Sequence, residues 1–169
     1  MRQFLDQLDD EWTALSRSLT GRRAVVAGAA DPALGNFMDL DAVVERIQRR
    51  GEPEDSDRIL LALLRRADSD NVAARTVLQA LMPGLKALMA TYRWSGSRED
   101  VATAVIEAAF ERIRHYPCQR RPARVAANLL HDTRQTLWRD TCRERRLDIP
   151  SQPLREGIRE RLTPFPDPS

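Results

Sequence analysis

The stretch RVAANLLHDTRQTLWRD, residues 124–140, collects side chains that suit contacts with nucleic acid. Guanidiniums bind phosphates and guanine edges, amides bind adenine edges, and an exposed aromatic ring stacks on an unpaired base. Residues three or four apart share one face of a helix. On this basis one polar face of the stretch and its continuation carries Arg124, Asn128, His131, Gln135, Trp138, Arg139, Cys142, Arg143 and Arg146. The alternative is a solvated face with Trp138 turned into the core.

The charge distribution favours a polyanionic partner for the same part of the chain. Residues 1–70 contain 10 basic and 14 acidic side chains, whereas residues 112–146 contain 10 arginines and 3 acidic side chains. The formal net charge of the whole chain is only +2, so this excess is local. A concentrated basic segment of this kind is typical of a surface that meets phosphates.

Apolar residues along the rest of the chain recur at steps of three and four, and the alternation typical of strands is nearly absent. This pattern predicts an all-α protein. The predicted helices cover about residues 2–18, 40–50, 71–92, 97–113 and 122–146, with another capped by Asp55 or Ser56 and a short one near 154–162. Residues 20–36, TGRRAVVAGAADPALGN, are predicted to be a loop. Further predicted helix starts involve Asp70 or Asn71, a capping box of Ser97 with Asp100, and Pro122 in a first turn.

Neither metal binding nor catalysis is indicated. His131 and Cys142 are 11 residues apart on one predicted helix, about 16 Å of rise, which is too far for both to bind one zinc ion. Glu99 and Asp100 are neighbours and diverge on a helix, so they do not face a common substrate. We therefore expect a protein that is not an enzyme and has no metal and no cofactor.

Localisation is predicted from what the chain lacks. The sequence contains 2 cysteines, no uncharged run long enough to span a bilayer, and no signal-peptide pattern at its start. We therefore expect a cytoplasmic protein that does not bind membranes.

Three successive stretches resemble region two of the extracytoplasmic-function group of RNA polymerase sigma factors. They are DNVAARTVLQALMPGLKALMATYRW, SREDVATAVIEAAFERIRHY and RVAANLLHDTRQTLWRDTCRERR, and the match covers about residues 70–146. Glu99 and Asp100 correspond to the family's acidic pair and Phe110 to its later aromatic position. The last helix matches at Val125, Ala126, Asn128, Leu129, Asp132 and Arg134.

The resemblance implies a compact helical bundle like sigma region two, with an additional helical extension at its N-terminus. The expected division is residues 1–55 as the extension with its loop, 56–146 as the sigma-region-two-like domain, and 147–169 as a short helix and a disordered tail. In the family, the first two helices dock on the clamp of the polymerase β′ subunit. The following loop and helix melt and read the minus-ten promoter element and capture a flipped base.

Carried over to this chain, the resemblance assigns two sets of contacts. The polymerase would be contacted by Arg98, Glu99 and Asp100. The expected nucleic-acid-binding residues are Arg120, Arg121, Arg124, Asn128, His131, Gln135, Trp138, Arg139, Arg143 and Arg146.

Three departures from the family define the alternatives. Thr103 and Ala104 replace a Gln-Glu pair, the aromatic residue near the start of the last helix is absent, and the 23 residues printed after Arg146 are not expected to form the family's helix-turn-helix region four. We expect a sigma-like protein that binds promoter DNA, single-stranded DNA included, or RNA polymerase core, or both, alongside a separate region-four-like protein or another regulator. The alternative is a helical interaction protein that keeps the fold, does not bind DNA, and binds another transcription regulator.

Overall fold

The computed structural model describes residues 2–49, 51–91 and 97–147, with the side chains of residues 2 and 144–147 excepted. This part of the chain contains seven helices and no strand, which confirms the all-α prediction. The predicted short helix near 154–162 and the tail lie outside the described residues. The helices are α1 (Arg2–Arg17), α2 (Leu19–Gly28), α3 (Leu40–Gln48), α4 (Pro53–Leu64), α5 (Asn71–Thr91), α6 (Arg98–Arg114) and α7 (Val125–Leu147).

Helix α5 lies at the centre of the bundle and packs against α2, α3, α4, α6 and α7. Its predicted apolar stripe is confirmed, because Val77, Leu78 and Leu85 are almost completely buried. Burying one such side chain contributes about 1.5–3 kcal/mol to stability. Trp12 of α1 and Ile47 of α3 belong to the same cluster of buried residues as the core side chains of α6 and α7. The part of the chain before residue 56 therefore shares one core with the part that resembles sigma region two.

A proline interrupts the hydrogen bonding of α5. Pro83 has no N–H, so it cannot donate to the carbonyl of Gln79 one turn earlier. The side chain of Gln48, the last residue of α3, donates from Nε2 to the carbonyl of Ala80 at 3.1 Å and to that of Gln79 at 3.4 Å. Helix α3 thus satisfies a backbone carbonyl that the proline leaves without its helical donor.

The prediction of a loop over residues 20–36 was wrong, because most of α2 lies there. The hydroxyl of Ser18 caps this helix by accepting the N–H of Gly21 at 3.0 Å. Gly21 and Gly28 are the buried residues of α2, and a Cβ at Gly21 would lie 2.4 Å from the carbonyl oxygen of Leu15. The fully buried positions of α2 are glycines, and Val25 is the one large apolar residue of this helix that packs against the core, so the apolar periodicity by which a helix is recognised in sequence is nearly absent.

The start of α4 also differs from the prediction. Pro53 occupies the first position of the helix, where its missing N–H is not needed. Asp55 does not cap the helix and instead forms ion pairs with Arg46 and Arg58. The hydroxyl of Ser56 donates to the carbonyl of Ile47 at 3.0 Å. Asp55 and Ser56 therefore connect α4 to α3, through Arg46 and the carbonyl of Ile47.

The predicted caps of α5 and α6 are confirmed. One carboxylate oxygen of Asp70 accepts the N–H groups of Val72 at 2.9 Å and Ala73 at 3.1 Å. At the start of α6, Ser97 and Asp100 each accept the backbone N–H of the other, at 3.1 and 2.9 Å, and so form the predicted capping box.

Candidate nucleic-acid interface

Helix α7, which carries most of the predicted nucleic-acid contacts, is capped by a residue of α4. It begins at Val125, so the prediction that Pro122 lies in its first turn was wrong. Arg124 precedes the helix with φ 55°, a conformation uncommon for residues other than glycine. The carboxylate of Asp57 accepts the N–H groups of Arg124 at 2.7 Å and Val125 at 2.8 Å. This remote cap fixes both the start of α7 and the unusual backbone of Arg124.

The loop between α6 and α7 is organised around Tyr116, which lies in the segment His115–Arg121 that the resemblance implies would meet DNA but is not one of the individually predicted contacts. Its buried phenol donates to the carbonyl of Arg121 at 2.8 Å and accepts the amide of Asn128 at 3.1 Å. Burial raises the pKa of Tyr116, so the phenol stays protonated and remains a donor. The signal in the sequence is an amphipathic aromatic residue between two helices, since a buried tyrosine needs a partner for its hydroxyl.

Two predicted DNA contacts take part in holding this loop. Besides its bond to Tyr116, the amide nitrogen of Asn128 donates to the carbonyl of Ala123 at 2.9 Å. Arg121 forms an ion pair with Asp132 of α7. Both side chains therefore stabilise the loop, and the amide hydrogens of Asn128 are already used.

Trp138 lies on the outward face of α7. It is 66% exposed, which rules out the alternative that its ring is turned into the core. The inward face is formed by Val125, Leu129, Thr133 and Leu137, which recur every four residues and are buried, whereas Leu130, expected on the same apolar side, is half-buried. One turn before Trp138, Gln135 is also exposed and lies with its amide nitrogen 2.9 Å from Nε2 of His131.

The arginines of residues 112–146 fall into two groups, those whose guanidinium has a partner in the protein and those that form no ion pair. Arg112 pairs with Glu111, and Arg114 donates to the carbonyl of Asp68 and to the side chain of Asn71. The backbone of Arg146 lies in α7, and its side chain is outside the described part. Among residues 112–143, five exposed arginines form no ion pair within the described part of the chain, namely Arg120, Arg124, Arg134, Arg139 and Arg143.

An open groove of about 430 Å³ adjoins the α6–α7 loop. Its lining includes Arg120 and Pro117 of the loop together with Leu64 and Arg65 at the end of α4. Burial raises the pKa of Cys118, which also lines the groove, so this residue is a neutral thiol. Arg65 precedes the sigma-like match, and no spacing in the sequence relates it to Arg120.

The three residues predicted to contact the polymerase lie in the first turn of α6. Arg98, Glu99 and Asp100 are all exposed. Hydrogen bonds from the side chain and then the backbone of Ser97 lower the pKa of Asp100, because they stabilise its charged form. The carboxylate of Asp100 thus takes part in the cap of α6. Glu99, the other acidic residue of the pair, lies outside the capping box.

In residues 2–49, 51–91 and 97–147, no group of three or more potential metal ligands is brought together. None of the helices found there is both long enough and apolar enough to cross a membrane. No protein-family model matches the chain, and no curated protein or solved structure is significantly similar to it. The sigma-like interpretation therefore depends on the residues and the geometry given above.

Proposed function

We propose that this chain is a sigma-like transcription protein that binds promoter DNA through α7 and RNA polymerase core through the start of α6. The observation that carries the proposal is the exposed ring of Trp138 on a face whose arginines have no ion pair. Stacking on an unpaired base would remove this ring from water, and the arginines would bind the phosphates on either side.

The α6–α7 loop supports the proposal because it is held in one conformation before any ligand arrives. Tyr116, Asn128 and the Arg121–Asp132 pair fix its path, and Asp57 fixes its junction with α7. A preorganised loop avoids the entropic cost of ordering on binding. In this proposal the protein acts in the cytoplasm, catalyses no reaction, and needs no cofactor.

The experiment compares wild type with Trp138→Ala on labelled single strands, pre-melted bubbles and closed duplex, by fluorescence anisotropy. We expect the substitution to weaken binding to single strands and bubbles by roughly 1–3 kcal/mol, about 5- to 150-fold, with little effect on duplex. Leu19→Ala is the matched control, since this residue is 70% exposed on another helix. Absence of binding by the wild type would overturn the DNA part of the proposal.

The second candidate is a helical interaction protein that keeps a sigma-like fold without binding DNA. One argument for it is that the side chains of Arg121 and Asn128 already form contacts that hold the loop. Another is that Thr103 and Ala104 have neither the amide nor the carboxylate of the Gln-Glu pair by which sigma factors of the family would contact the polymerase. The anisotropy experiment separates the two candidates, because the second predicts no binding to any of the three forms of DNA.

A further inference from the structure

Helix α2 presents two of its three large apolar side chains, Leu19 and Val26, to the outside, whereas Val25 is half-buried against the core. Gly21 and Gly28 are buried, whereas Leu19 and Val26 are 70% and 74% exposed. At roughly 100° per residue, Leu19 and Val26 lie within 20° of each other and opposite the two glycines. An ordinary amphipathic helix buries its apolar side and exposes its small or polar one. We call the outward pair Leu19 and Val26 the α2 ridge.

Steric constraints on the buried side hold α2 in this orientation. A Cβ at Gly21 would lie 2.4 Å from the carbonyl oxygen of Leu15, and one at Gly28 would lie 3.2 Å from the guanidinium of Arg66. Rotating the helix to bury the ridge would place larger side chains against this backbone. The exposure of Leu19 and Val26 is therefore imposed by the way α2 packs.

Arginines flank the α2 ridge on both sides. Arg22 and Arg23 are exposed and lie roughly 50° to either side of the ridge on the helix circumference. In the described residues, neither forms an ion pair. Residues 12–30 contain 3 arginines and no acidic residue, although residues 1–70 contain 14 acidic side chains. Helix α2 therefore carries positive charge on both sides of the ridge and no acidic residue.

We propose that the α2 ridge docks an acidic amphipathic helix of a partner protein. A ridge of about 10 Å fits into the apolar stripe of a crossing helix, and Arg22 and Arg23 would pair with carboxylates beside that stripe. A second copy of this chain fits poorly, because a twofold contact through the ridge would bring the same arginines together from both copies. The proposal goes beyond the function proposed above, since it uses neither α7 nor the start of α6.

The molecule already contains one internal contact of the proposed kind. Side chains of α5 reach α1, where Trp12 is buried: Lys86 pairs with Asp9 at 3.2 Å, and Arg75 donates to the carbonyl of Leu8 at 2.7 Å. The guanidinium of Arg75 in α5 lies 5.4 Å from the centre of the Trp12 ring. An acidic helix is thus held to a basic helix by an ion pair and a cation–π contact within this same chain.

The test uses the full isotope-labelled chain and a synthetic helical peptide with leucines at three- and four-residue steps flanked by glutamates. We expect the peptide to shift NMR signals of residues 17–30. The double variant Arg22→Glu/Arg23→Glu should weaken binding at least tenfold, and Leu19→Ser/Val26→Ser should abolish it. These side chains are exposed, so circular dichroism should show both variants folded. Met38→Ser, at a residue 92% exposed outside α2, is the matched control and should bind normally.

Four results would overturn the proposal. The first is the absence of shifts in residues 17–30 at millimolar peptide. The second is equal binding of a peptide with lysines in place of the glutamates. The third is a dimer of this chain that Leu19→Ser/Val26→Ser dissociates, which would assign the ridge to a second copy. The fourth is ridge-dependent binding to anionic phospholipid vesicles without binding to the peptide, which would assign it to a lipid surface.

Discussion

Asp57 of α4 accepts the backbone N–H groups of both Arg124 and Val125, and so caps a helix that begins 68 residues later in the chain. The contact fixes the helix that carries Trp138 relative to the helix that ends next to Arg65. The orientation of the candidate DNA-binding face is therefore set by a tertiary contact.

We expect Asp57→Ala to lower the free energy of unfolding by about 1–2 kcal/mol, because α7 loses its cap. Denaturant unfolding followed by circular dichroism measures this change. Asp68→Ala is the matched control: Asp68 is exposed, and only its backbone carbonyl is used, by Arg114. An equal loss in both variants would mean that Asp57 acts through charge alone.

Two substitutions of Arg124 separate backbone strain from charge. Arg124→Ala keeps the strained φ of 55°, whereas Arg124→Gly relieves it. The glycine variant should be more stable than the alanine variant by about 1 kcal/mol. Both variants should lose DNA affinity equally, because both lack the guanidinium. Equal unfolding free energies would show that the Asp57 contact imposes no strain.

The unpaired arginines should determine how DNA binding depends on salt. Arg139→Ala or Arg143→Ala should each reduce the slope of log affinity against log salt by about 0.7 on single strands. Arg114→Ala should leave the slope unchanged, because this guanidinium donates to Asp68 and Asn71. Anisotropy titrations at several salt concentrations test both expectations. An unchanged slope in the first two variants would exclude them as phosphate contacts.

The capping box of α6 should be visible in the titration of Asp100. Hydrogen bonds from Ser97 lower the pKa of Asp100 in the folded protein. A lowered folded pKa stabilises the protein above the unfolded pKa of about 3.9, and this contribution is lost as the pH falls through the folded pKa. In an NMR titration, Asp100 should have a lower midpoint in wild type than in Ser97→Ala. Equal midpoints would contradict the hydrogen-bonded cap.

Glu99→Arg tests polymerase docking without disturbing the cap. Glu99 is exposed and lies outside the capping box, so its reversal should abolish co-purification with RNA polymerase core while α6 stays folded. Reversal of interfacial charges is expected to be costly. Glu107→Arg, at another exposed position of α6, is the control and should co-purify normally. If wild type does not associate with the polymerase, docking is excluded and the interaction-protein alternative is favoured.

The sequence predicts the helices that bury large apolar residues at regular spacing. Leu78 and Leu85 of α5, Val105 of α6 and Leu129 of α7 are all buried as their periodicity indicates. Helix α2 could not be recognised in this way, because its buried positions are glycines, Leu19 and Val26 face solvent, and only Val25 packs against the core. When the buried positions of a helix are glycines, they add no apolar residues to the three- and four-residue spacing from which a helix is predicted.

The sequence likewise predicts only some features of the candidate site. The outward position of Trp138 follows from helical spacing once Leu137 and Thr133 occupy the inward face. The engagement of Asn128 depends on the path of a loop that folds back over Tyr116. The cap by Asp57 depends on how α4 and α7 meet in three dimensions. Neither contact leaves a regular pattern in the sequence.

The bond from Gln48 to the carbonyls beside Pro83 also bears on how fast α5 opens. The proline leaves one turn of α5 with fewer internal bonds, and α3 supplies the missing donor. Amide hydrogens in that turn exchange with solvent when the turn opens, and opening it requires α3 to move away from α5. The exchange rate around Pro83 is thus governed by a helix of the N-terminal part, and Gln48→Ala would accelerate it while leaving the far end of α5 protected.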